Sequence, residues 1–198
     1  ERWRPAMIKR LQYFFWVELA KWAQGFKQSD SALRFYDHAL QVRPDDPRAL
    51  ASIGFELVQQ DRKREALAKF DRVVALKPDW AEAHFNRGFL LQELNDHDAA
   101  IAAFDLALLH NPKHDRAAYG KALSLISTKR GEEAVAPLQL NTRLQPMSPY
   151  GWYQLARVQF DRGKADKAQS IIDHLATFEP KVAAQLARET GLRAPPRP

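Results

Sequence analysis

Five prolines set the frame for the whole chain. Pro44, Pro78, Pro112, Pro146 and Pro180 stand 34 residues apart. Self-similarity at a fixed period of this length marks a stacked array of small units. Other columns keep the same beat. Twelve residues before each proline stands Ala32, Ala66, Ala100, Ala134 or Ala168. Eight before it stands a large apolar residue: Tyr36, Phe70, Phe104, Leu138 or Ile172. Twenty-four before it the residue is always small: Ala20, Gly54, Gly88, Ala122 or Ala156.

Within one unit the pattern predicts two short helices. In residues 47–80, Pro47 suits a first helical turn, where its missing N–H costs nothing. Leu50, Ile53, Gly54, Leu57 and Val58 then recur at helical spacing. Asp61-Arg62-Lys63-Arg64 is a polar turn. Ala66, Leu67, Phe70, Val73 and Val74 form a second apolar stripe, and Pro78 closes the unit by biasing the residue before it out of the helical region. The small column lets paired helices approach to about 8–10 Å. One such hairpin cannot bury its apolar face alone, so neighbouring hairpins stack.

These columns resemble the tetratricopeptide repeat, whose 34-residue unit carries an aromatic, a Leu-Gly pair, a Tyr-like position, an Ala, a Phe and a closing Pro. Trp16 and Trp152 fill the aromatic column, where Leu50, His84 and Ala118 replace it in the other units. The resemblance covers residues 13–182 as units 13–46, 47–80, 81–114, 115–148 and 149–182. It implies an all-α, right-handed superhelical solenoid of five antiparallel helix pairs, with its concave face lined by the first helix of each pair. The fourth unit departs from the pattern at Lys121, where Leu is usual, and at Asn141, where Ala is usual. Pro137 lies inside its second helix and predicts a kink or a late helix start, read either as drift or as a flexible joint.

The ends differ from the array. Residues 1–12 form an aromatic and basic N-terminal segment. Residues 1–26 as a whole carry Trp3, Tyr13, Phe14, Phe15, Trp16, Trp22 and Phe26 among Arg2, Arg4, Lys9 and Arg10. Two readings stand: a helix capping the first hairpin, or a segment docking on a membrane surface or a membrane protein. Residues 183–198 hold the end of a capping helix that stops at Gly191, followed by a disordered Pro-rich tail. The chain begins at Glu1 rather than Met, so the expectation of a cytoplasmic location leaves periplasmic or membrane-anchored alternatives open. No apolar run approaches the ~20 residues needed to span a bilayer.

The resemblance also implies where a ligand would lie. Counted on the repeat frame, the first helices offer Arg48, Ser52 and Phe55 in the second unit and Phe85, Asn86 and Phe89 in the third. Arg116, Tyr119 and Gly120 follow in the fourth unit, and Tyr150, Tyr153 and Arg157 in the fifth. Aromatics exposed on such a face mark an interaction site. Asn86 matches a peptide backbone as donor and acceptor, and the arginines suit carboxylates. The alternative is that the aromatics pack within the molecule. Tetratricopeptide co-chaperones grip a C-terminal carboxylate through a clamp whose columns here read Ala51, Phe55, Asn86, Arg116 and Gly120. Only Asn86 and Arg116 fit, so a chaperone clamp is not expected.

Other chemistries find little support. The chain has no Cys, which excludes disulfides and thiolate metal sites. His110 and His114 are four apart, but Asn111-Pro112 interrupts any helix between them, so a solvated turn is expected rather than a metal site. No Gly-rich phosphate loop or nucleophile elbow occurs, so no enzyme activity and no cofactor are expected. The net charge of +6 is spread as +2, +2, −3, +2 and +3 over residues 1–46, 47–80, 81–114, 115–148 and 149–198. That is not the continuous basic stripe that tracks phosphates, so nucleic acid is not an expected partner. The expected function is a non-catalytic protein–protein interaction module that holds a peptide or partner segment in its groove and helps assemble a larger complex. The alternative is a self-assembling or membrane-peripheral scaffold docked by its aromatic N-terminus, with homo-oligomerisation open.

Overall fold

The computed structural model describes residues 4–194. Readings placed on Arg2, Trp3 and the tail beyond Ala194 lie outside the described residues. Among those residues the chain is all-helical, with eleven helices and no strand. It divides into two compact units, Glu1–Leu94 and Asn95–Pro198. The boundary falls between the two helices of the third repeat.

The first unit holds α1 (Arg4–Gly25), α2 (Ser29–Val42), α3 (Pro47–Gln59), α4 (Lys63–Leu76) and α5 (Ala81–Glu93). Each helix packs on the next. Local chemistry starts α3 where the sequence expects. Asp46 caps α3 by accepting from the backbone N–H groups of Arg48 at 2.9 Å and Ala49 at 3.0 Å, with Pro47 in the first turn. Ala20, Tyr36, Leu50, Ile53, Ala66, Phe70, Val73 and Leu90 are buried together as its core. Gly54 shows why the small column is small: a Cβ there would lie 2.7 Å from Phe70 Cε2.

The second unit holds α6 (His97–His110), α7 (Asp115–Ser127), α8 (Gly131–Leu144), α9 (Pro149–Asp161), α10 (Ala165–Ala176) and α11 (Pro180–Thr190). Leu125, Leu138 and Leu155 centre one core cluster, and Ile172, Leu175 and Leu186 another, which seats α11 on α9 and α10. Pro180 therefore closes the last repeat and opens the capping helix in one step. Gly191, with φ 69°, ends that helix in the left-handed conformation, the usual helix stop.

Four departures from the sequence reading have physical causes. First, α8 begins at Gly131 and runs through Pro137 to Leu144, so the expected late start does not occur. The proline ring is buried instead, and the structure trades one backbone bond for packing. Second, Lys121 and Asn141 are partners rather than drift. Lys121 Nζ meets Asp105 at 2.5 Å, and Arg87 meets Asp71 at 2.6 Å one period earlier. Asn141 is buried and its Nδ2 donates to the Asp115 carbonyl at 3.0 Å. Third, His114 is not in a solvated turn. It is buried, and its Nδ1 caps α7 by accepting from the Ala117 N–H at 3.3 Å. Fourth, residues 4–12 form no separate cap: they extend α1 as one continuous 22-residue helix.

The turn inside each pair carries a further column. Lys27, Asp61, Asn95, Lys129 and Gly163 all have φ between 56° and 71° and stand 34 residues apart. Four of the five are not glycine, at a cost of about 1–2 kcal/mol each. The turn persists because its backbone is bonded on both sides: Arg62 N donates to Leu57 O, and Arg130 N to Leu125 O.

Candidate functional site

In the first unit an open cleft of about 890 Å³ lies between α1, α3 and the loops that follow α2 and α4. On the repeat frame, Phe14, Val17, Glu18 and Lys21 of α1 occupy the same columns as Arg48, Ala51, Ser52 and Phe55 of α3. The cleft thus begins one repeat earlier than the sequence reading placed it. The signal was present in the columns of the unit 13–46, but the groove columns are counted in the sequence reading only from the second unit onward.

The cleft is firmly built. Tyr36 donates to Gln24 Oε1 at 2.8 Å, and Gln24 Nε2 donates to Glu56 Oε1 at 2.8 Å. Ser52 hydrogen-bonds the same Tyr36 oxygen, whose pKa is raised chiefly by burial. On the opposite side Arg43 stacks its guanidinium 4.3 Å from the Tyr13 ring centroid. Burial, followed by a hydrogen bond to Asp46, pushes the Tyr13 phenol up to about 12. Glu18 is paired with Lys21 at 2.7 Å. Arg48 and Lys77 line the cleft as exposed cations, with Asp79 as an exposed anion and Trp80 half-buried. The surface on offer is apolar and aromatic, with cations in excess.

The other expected site residues divide. Phe55 and Phe89 are exposed on α3 and α5, and Asn86 is half-buried. Phe85 is only 9% exposed, so it belongs to the packed interior rather than to an open aromatic wall. In the second unit Arg116 and Tyr150 are exposed. Tyr119 is half-buried and hydrogen-bonded to Gln154, its phenol raised mainly by burial. Gly120, one of the clamp columns, faces inward: a Cβ there would lie 2.6 Å from Phe104 Cζ. Tyr153 and Arg157 are taken within the molecule. The capping helix brings Glu189, which accepts from Tyr153 Oη at 2.6 Å and from Arg157 at 2.9 Å. The Tyr153 hydrogen bond, then one from Gln185, holds the Glu189 carboxyl below its usual range. His84, in the aromatic column, reproduces what Trp152 does there. His84 Nε2 lies 2.8 Å from the Pro78 carbonyl, as Trp152 Nε1 lies 2.9 Å from that of Pro146. Among the described residues no group of three or more His, Asp or Glu is placed to hold a metal ion, and no helix is long and apolar enough to cross a membrane.

The comparisons agree with this geometry. Residues 81–114 match the family described as the tetratricopeptide repeat. No curated protein matches the chain. Among solved structures, the chain is similar to YrrB, described as a tetratricopeptide-repeat protein with an unusual peptide-binding site. The TM-score is 0.80 at 18% identity, covering 95% of this chain and 98% of that one. It is similar to MamA from Desulfovibrio magneticus RS-1, with TM-score 0.76 at 18% identity over 90% of this chain and 96% of that one. A tetratricopeptide repeat protein from Parabacteroides merdae gives TM-score 0.79 at 20% identity over 91% and 74%. At these identities the likeness establishes the fold.

Proposed function

Because the chain is a tetratricopeptide-repeat array, we propose that it is a non-catalytic interaction module that holds an extended partner segment in the cleft of its first unit. The observation that carries the reading is the pairing of a fixed polar floor with an open apolar and cationic wall. The Ser52–Tyr36–Gln24–Glu56 chain of hydrogen bonds holds α1, α2 and α3 in register, so the cleft is preformed and binding costs little ordering. Arg48 and Lys77 favour a segment with carboxylates, and Phe14, Val17 and Trp80 favour an apolar or aromatic side chain next to them. The peptide-binding site described for YrrB supports the same use of a similar fold. The segment would tie its owner into a larger complex through this module.

The experiment is selection from a random peptide library by the purified chain, followed by fluorescence anisotropy with the selected peptides. The expected consensus mixes acidic and aromatic residues. The pair Arg48→Glu and Lys77→Glu should weaken it at least tenfold, which is about 1.4 kcal/mol. Selected peptides that bind the charge-reversed protein equally well would remove the site from consideration.

A further inference from the structure

The repeat frame exposes a difference between α1 and its four counterparts. In α3, α5, α7 and α9 the third column is small: Ala49, Ala83, Ala117 and Gly151, all buried. The tenth column, Glu56, Leu90, Ser124 and Val158, is buried too. In α9 both columns face α8, the second helix of the preceding pair. A Cβ on Gly151 would run into Asn141 of α8, and one on Gly131 would touch Val158. In α1 the same columns hold Phe15 and Trp22, and they are 57% and 65% exposed. Met7, Ile8, Leu11 and Phe26 are likewise exposed. At 3.6 residues per turn the five on α1 fall within an arc of about 100° of a helix about 33 Å long, and Phe26 follows in the turn after it. Such a grouping of exposed large apolar side chains marks an interaction surface.

We propose that this face of α1 docks the protein on an anionic lipid surface. Two observations select that occupant. The first is bulk. Stacking helices in this array meet over Ala or Gly at the third column. Phe15 there, with Trp22 two turns on, holds a rigid helix away from the 8–10 Å approach that ridge-into-groove packing needs. A fluid acyl boundary has no such requirement and takes up large aromatics, which is where interfacial helices carry them. The second is charge. Residues 6–27 contain Lys9, Arg10, Lys21 and Lys27 against the single acid Glu18, which is already paired with Lys21. Lys9, Arg10 and Lys21 lie outside the apolar arc of α1 and Lys27 lies in the turn beyond it, the arrangement of an interfacial helix whose polar side carries the cations, and the net +3 attracts acidic headgroups. Trp22 and Phe26 stack at 6.0 Å between centroids while open to solvent, as an aromatic anchor at a lipid boundary would be before insertion. The proposal does not depend on the cleft: of the α1 residues that line the cleft, only Glu18 falls within the apolar arc.

The test uses the full chain in co-sedimentation with phosphatidylcholine vesicles, with and without phosphatidylglycerol. Binding is expected on the anionic vesicles and much less on the neutral ones. The pair Phe15→Ser and Trp22→Ser should lower partitioning at least tenfold at an unchanged melting temperature, and Lys9→Glu with Arg10→Glu should abolish the preference for the anionic lipid. Brominated lipid should quench part of the wild-type tryptophan emission, and Trp22→Phe should remove most of that quenching without touching the fold. Arg48→Glu should leave vesicle binding intact. Failure of the wild-type chain to sediment with anionic vesicles overturns the proposal. So does a dimer in analytical ultracentrifugation that the Phe15 and Trp22 changes dissolve while no vesicle binds, because the occupant is then a second copy.

Discussion

The α3–α4 contact makes a quantitative claim about packing. In Gly54→Ala the new methyl would meet Phe70 at 2.7, 3.0 and 3.1 Å from three ring carbons, well inside the 3.5–4.0 Å optimum for carbon pairs. Phe70 has no room to retreat, since it is 1% exposed and held edge-on by Phe55 at 5.5 Å. Overpacking of this kind costs about 1–3 kcal/mol, while replacing a mid-helix Gly by Ala returns about 1 kcal/mol. The expected net loss is about 1 kcal/mol. Phe70→Leu alone leaves a cavity and also destabilises, by about 1–2 kcal/mol. The double variant installs the Ala-with-Leu combination that the chain already uses at Ala122 and Leu138, so the two losses should not add. Urea denaturation of the four proteins gives the coupling energy. We expect at least about 1 kcal/mol of favourable coupling. Additive losses, or a Gly54→Ala protein more stable than the parent, would refute the claim that ring contact keeps this column small.

Three other outcomes follow from the same coordinates. Lys129→Gly relieves a left-handed residue with φ 61° and should stabilise the second unit by about 0.5–1 kcal/mol in chemical denaturation; Gly163→Lys should do the reverse. The Tyr13 phenol has an ordinary pKa of 10.0 and a folded value of about 12. Its contribution to stability is therefore full below pH 10 and is lost as pH rises through about 12; Tyr13→Phe should flatten that part of a stability–pH profile followed by circular dichroism. Glu189 is shifted the opposite way, below its ordinary 4.5. What it contributes is present above that value and lost as pH falls through the lower folded value. Hydrogen-exchange protection in α11, relative to the intrinsic rate at each pH, should fall in acid for the parent and show no such step in Glu189→Gln.

Helix pairing, the small column and the capping helix were all readable, because each depends on contacts repeated at one sequence separation. The groove was readable by column but not by state. Phe85 and Phe89 look alike on the frame, yet one is buried and the other open, since burial depends on which neighbour covers each helix face. Gly120 was counted as a lost clamp cation when its absent side chain makes room for Phe104. Arg157 was assigned to a partner when Glu189 already holds it.

The 34-residue period alone determined that this chain folds as stacked helix pairs, because an amphipathic hairpin has no other way to bury its stripe. The tertiary structure alone decided what the irregular positions are for. The left-handed turn column carries Lys, Asp, Asn, Lys and Gly, so no residue type announces it, and it is held by backbone bonds formed only once both helices are in place. The outer face of α1 is apolar in the sequence whether covered or bare. Only the three-dimensional arrangement, in which no preceding pair stands over Phe15 and Trp22 among the described residues, turns that stripe from core into surface.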